Sequence, residues 1–154
     1  MAASAWRMYG SAKEFLGDGT IDLDGHTFKV ILLSSVYTPN LDTQDALLDI
    51  SADELATANG YTAGGATLGS VTWTLSAGTV TFDAADVVWT ASGGSIAARH
   101  SAIYDDTVTT PVADALLCYT LLDTTPADVT ATDGNTLTIQ LNASGIFTLS
   151  GMTA

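Results

Sequence analysis

His26, His100 and Cys118 are the chain's whole supply of imidazole and thiol, and they stand far apart in a sequence of 154 residues. A histidine works as a general base only when a nucleophile and an orienting group converge on it. No nucleophile motif accompanies either one. A nucleophile elbow needs Gly-x-Ser-x-Gly at a strand-to-helix turn. Gly93-Gly-Ser-Ile-Ala97 lacks the final glycine and runs into an extended segment. Neither Lys13 nor Lys29 follows the glycine spacing of a phosphate-binding loop. His100, beside Arg99, reads as a strand residue pairing with a neighbouring carboxylate. Three soft ligands this scattered do not compose a structural zinc site.

The carboxylates make the same case. Counted from Asp18, an acidic calcium loop requires glycine at its sixth position and a bidentate glutamate at its twelfth. Leu23 and Lys29 stand there instead, so Asp18, Asp22 and Asp24 do not form that motif. Glu14 and Glu54 are the only glutamates, and most aspartates flank turn-forming residues, where they cap and solvate. A glycosidase pair would require two carboxyl groups facing each other across a groove. The expectation is a protein with no catalytic residue, no cofactor and no metal: not an enzyme.

The elements that must position any site read as mainly β. Residues 5–16 suit one helix, with Ala5, Met8, Ala12 and Phe15 on a stripe, Ser4 as its cap and Gly10 as a weak point. From residue 20 the hydrophobic period changes to two. Residues 20–23 and 26–34 flank Asp24-Gly25, a type I′ hairpin signal. Ser51-Ala-Asp-Glu54 has capping-box spacing, which supports a helical turn or two. Further strands are expected at 71–75, 79–82, 86–90, 96–104, 115–122, 136–141 and 146–149. About nine short strands at this spacing predict an antiparallel β-sandwich or jelly-roll-like domain. It is a single domain over 1–154, with a helical segment at 1–19 and the sandwich at 20–154.

Composition narrows the partners. Hydrophobic residues make up 47% of the chain, which excludes a disordered tail. Four cations against 17 carboxylates give a net charge of −13, which repels phosphate backbones and anionic lipid. Neither a nucleic acid nor a membrane is therefore an expected partner. Cys118 cannot form an internal disulfide and lies in the apolar run 115–122, as a small buried hydrophobe would. The first ten residues lack the pattern of a secretory signal, so a protein made and kept in a cytoplasm is expected.

Two segments stand out as candidate working parts. Asn59-Gly60-Tyr61-Thr62-Ala63-Gly64-Gly65-Ala66-Thr67-Leu68 is a shaped loop leading into a hairpin. Gly60, Gly64 and Gly65 supply positive φ there, and Tyr61 supplies an anchor. The N-terminal segment carries Trp6, Arg7, Tyr9, Lys13 and Phe15, and three of the four cations fall within the first 29 residues. So much apolar surface on a short segment gains stability only by docking. Docking on its own domain and contact with a neighbouring subunit both fit. Trp73 and Trp89 read as core fillers.

The loop lies within a longer series. It runs from Ala12-Lys-Glu-Phe-Leu16, Ile21-Asp-Leu-Asp24, Phe28-Lys-Val-Ile-Leu-Leu33 and Tyr37-Thr-Pro-Asn40 to Val80-Thr-Phe-Asp83 and Asp86-Val-Val-Trp89. It ends with Ala97-Ala-Arg-His-Ser-Ala-Ile-Tyr104 and Gly145-Ile-Phe-Thr-Leu149. This series, spanning nearly the whole chain, resembles a family of small virion structural proteins of tailed bacteriophages and prophages. The resemblance implies a virion location after synthesis in the bacterial host cytoplasm. It implies contact with the major capsid protein or other virion subunits, and self-association, with a trimer as one form. A capsid decoration or cement subunit is the expected role. The alternative is a tail-fibre or host-recognition accessory module, and a glycan-acting enzyme ranks last.

Overall fold

The computed structural model describes residues 3–125 and 127–151; residues 1, 2, 126 and 152–154 of the expected single domain lie outside that range. The fold is mainly β with one α-helix, and every strand pair is antiparallel. The chain begins with β1 (Arg7–Met8), α1 (Gly10–Asp18) and β2 (Phe28–Leu33). Two 3-10 turns, Leu47–Asp49 and Ser51–Asp53, precede β3 (Ala66–Thr67). The strands β4 (Thr72–Ser76), β5 (Thr79–Asp83), β6 (Val87–Thr90), β7 (Ile96–Ala98) and β8 (His100–Asp105) follow. The last are β9 (Ala115–Leu121), β10 (Val129–Ala131), β11 (Thr136–Ile139) and β12 (Phe147–Leu149).

The largest sheet has the order β1-β9-β8-β2-β3, and a three-stranded sheet has the order β12-β5-β4. The pairs β10-β7 and β11-β6 complete the set. The run expected as one strand over 96–104 divides at Arg99: β7 pairs with β10, whereas β8 joins the large sheet. Arg99 marks the change of partner, bonding Asp128 through Nε at 2.7 Å. Across the interior, Phe28 of β2 meets Phe82 of β5 edge to face at 5.3 Å, which binds the large sheet to the small one.

Three local expectations are corrected. Residues 3–6 form neither helix nor strand and Arg7–Met8 form β1, so the helix covers only the second half of the expected span and runs on to Asp18. Pairing decides this: Arg7 and Met8 lie opposite Tyr119 and Cys118, and the Ser4 amide donates to the Leu121 carbonyl. Ser4 is therefore not a helix cap; its hydroxyl accepts the Leu121 amide. Gly10 is explained by space, because a Cβ there would lie 2.9 Å from the Leu41 carbonyl oxygen. Gly19, at φ 82, ends the helix in the left-handed conformation.

The expected hairpin around Asp24-Gly25 is also absent, as residues 20–23 form no strand. The Asp22 carboxylate accepts the amides of Asp24 and Gly25 and folds the segment into a side-chain-capped turn. Likewise the capping box at 51–54 does not form. Glu54 follows the turn and accepts hydrogen bonds from Tyr61 and Gly64 instead.

Candidate functional site

Glu54 organises the glycine-rich loop. Its Oε1 accepts hydrogen bonds from the Tyr61 hydroxyl at 2.6 Å and the Gly64 amide at 2.7 Å. Tyr61 in turn accepts the Leu32 amide, so one phenol joins the loop to the middle of β2. Its ring packs against Trp89 and is 2% exposed. Burial, helped by the Glu54 carboxylate, holds the Tyr61 phenol well above its ordinary pKa. Tyr104 donates to the Gly64 carbonyl from the other side.

The glycines have the φ the loop requires: 89° at Gly60, 91° at Gly64 and 74° at Gly65. Space adds a second constraint at two of them. A Cβ on Gly60 would sit 2.1 Å from the Thr90 oxygen, and one on Gly65 2.1 Å from the Val30 oxygen. Gly64 has open space, so only its dihedral excludes other residues. Glu54 is the residue that sequence reasoning missed. Its one visible signal was being one of two glutamates, placed just before the loop.

The N-terminal candidates divide into two groups. Tyr9 and Phe15 are buried in the core of their own chain and are not accessible to a partner, which corrects their expected role. Tyr9 donates to the Tyr37 hydroxyl at 2.6 Å, and Tyr37 donates to Gln44 at 3.0 Å. Burial is the largest cause pushing the Tyr37 phenol up to about 12. Arg7 and Lys13 are exposed, and Trp6 is half-buried. The Arg7 guanidinium donates to the Tyr119 hydroxyl and lies over its ring, 5.9 Å from the centroid. Removing residues 2–16 would take out β1 together with the buried Tyr9, Ala12 and Phe15, and should unfold the chain.

Trp6 lies at a cleft of about 770 Å³ between residues 3–6, β11 and β12. Leu137, Ile139, Ile146 and Phe147 supply apolar surface, and Gln140 and Asn142 supply amides. None of its lining side chains carries a charge, on a chain of net charge −13. The cleft suits neutral, partly apolar surface and offers no positive charge to an anion.

His26, His100 and Cys118 have structural surroundings. His26 Nδ1 lies 2.7 Å from Asp105, a fully buried carboxylate that also accepts the Thr107 amide. The contact ties the turn at 22–26 to the end of β8. Among the described residues His100 makes no hydrogen bond or ion pair with a carboxylate, which corrects the expected pairing. It packs edge to face on Tyr37 at 5.3 Å, with its Nδ1 buried and unpartnered among the described residues. Burial lowers its pKa. Cys118 is 1% exposed, and burial pushes its thiol well up. Among the described residues no three His, Cys, Asp or Glu side chains are placed to hold a metal ion. The chain matches no known family model, no curated protein and no solved structure.

Proposed function

We propose that this chain is a non-enzymatic structural protein of a tailed-phage or prophage virion, most specifically an accessory head subunit that decorates or cements the capsid. The observation that carries the reading is the charge-free cleft with Trp6 in its lining on an otherwise strongly acidic chain. An aromatic anchor beside apolar surface is the usual centre of a protein interface. Arg7 and Lys13, both exposed near that end, would orient the approach to an acidic partner such as the major capsid protein or another virion subunit. Trp6, Arg7 and Lys13 remain from the N-terminal set as contact residues. Net charge disfavours packaged DNA and membrane as alternatives.

The sandwich or jelly-roll arrangement belongs to this reading, supported by the Phe28–Phe82 contact between sheets. So does a homo-oligomer, because many copies on a repeating lattice turn modest affinities into firm attachment. The second reading, a tail-fibre or host-recognition module, is favoured by Gln140 and Asn142 in the cleft that Trp6 also lines, since amides together with an aromatic ring suit a neutral glycan. Copy number separates the two. Mass-spectrometric counting of purified particles should find the chain in large multiples, as a shell subunit requires. A handful of copies would point to the tail, and absence from the particle would overturn both.

A further inference from the structure

The sheet β12-β5-β4 extends beyond the core that it covers. Cross-strand partners share a face, and so do residues two apart on one strand. Trp73, Phe82 and Phe147 form one row by register, and Leu75, Val80 and Leu149 form the next row on that same face. The first row is packed: Phe82 is fully buried, with Phe147 at 5.2 Å from it and Trp73 at 6.4 Å from Phe147. The second row is not. Leu75 is 72% exposed and Leu149 50% exposed, with Val80 half-buried between them. The opposite face carries Thr74, Thr81 and Thr148. An inward-facing apolar row thus continues past the edge of its own core.

Charge identifies what can cover it. Residues 55–82 and 134–151 contain no Asp, Glu, Lys or Arg, so the segments that carry the row are themselves uncharged. A partner must present a neutral, apolar, flat surface there. The chain itself carries one, and meeting it about a two-fold axis sets leucine against leucine. We propose that a second copy of this chain covers the row, the two β12-β5-β4 sheets packing face to face through Leu75, Val80 and Leu149. Sheets stacked this way lie about 10 Å apart, and their side chains interdigitate. Three side chains fall short of the roughly 800 Å² per partner of a standard interface, so the contact is weak in isolation and strengthened where copies are held close. This places the self-association included in the virion reading and rests on that part of it alone.

The test uses the free full-length protein, with no particle present. Sedimentation and light scattering at high protein concentration should give twice the 15.8 kDa chain mass, falling to one chain on dilution. Leu75→Glu should abolish the dimer while leaving the circular-dichroism spectrum, and the melting temperature measured on the dilute monomer, unchanged. Val36→Glu, at a residue 74% exposed outside that sheet, should leave the dimer intact. A wild-type protein that stays monomeric, a mass other than twice the chain, or a dimer that survives Leu75→Glu overturns the proposal. Any of these would leave the particle copy number untouched, so the two readings fail separately.

Discussion

The five-stranded sheet and the three-stranded sheet use the same residue types to different ends. In β9 the run from Ala115 to Thr120 is buried throughout, and β8 is buried from Ser101 to Asp105. Such strands have core on both faces. In β4 the alternation is visible but weak: Trp73 is half-buried, and Thr72, Thr74, Leu75 and Ser76 are exposed. A sheet covered on both faces is committed to stability. A sheet whose apolar row outruns its cover leaves surface free for another molecule. The contrast locates stability in the first sheet and candidate contact surface in the second.

The largest expected effect breaks the joint between them. Phe28→Ala removes the ring that meets Phe82, and a buried phenylalanine truncation costs about 3–5 kcal/mol. Chemical denaturation should show that loss as a lower midpoint, and a change within error would show that the sheets are not held through this contact. Next comes the loop that braces β2. Gly65→Val adds both a left-handed strain and a Cβ against the Val30 oxygen, costing about 3 kcal/mol or more, against about 1–2 kcal/mol for Gly64→Val, where only the dihedral is wrong. Equal losses at the two positions would remove the steric half of that account.

A smaller, pH-dependent effect belongs to His100 in the large sheet. Burial depresses its pKa below the ordinary 6.5, so the folded state favours the neutral ring. Its contribution is fully present above pH 6.5 and is lost as pH falls through the depressed folded value. His100→Leu should flatten that part of the stability profile, seen as a smaller drop in melting temperature between neutral and mildly acidic pH. An unchanged slope would place the titration elsewhere. The smallest effect is expected in the second sheet: Leu75→Ala should alter stability of the monomer by less than about 0.5 kcal/mol, as surface changes do. A loss of several times that would show Leu75 to be part of the core after all.

The β-rich class was legible because period-two patterning and turn residues are local signals, each readable within a few positions. The glycine loop was legible for the same reason: Gly-Gly and Asn-Gly state a backbone requirement without reference to the rest of the chain. The N-terminal segment shows where this stops. Ala5, Met8, Ala12 and Phe15 have helical spacing, yet residues 3–9 are not helical, because an otherwise unpaired edge of β9 bonds Ser4, Arg7–Met8 and Tyr9. Glu54 shows it again, since Tyr61 and Gly64 lie seven and ten residues downstream of the carboxylate they share.

By itself, then, the sequence determined the acidic charge, the strand-forming periodicity, the neutrality of residues 55–82 and 134–151, and the glycine positions. Only the tertiary structure decided that Tyr9 and Phe15 are core, that Trp6 faces an uncharged cleft, and that Leu75 and Leu149 stand uncovered in one row. The reason is physical. Periodicity tells which side chains share a face of a strand, but whether that face meets core, solvent or another copy depends on where long-range pairing sets the strand and how far it runs past its neighbours.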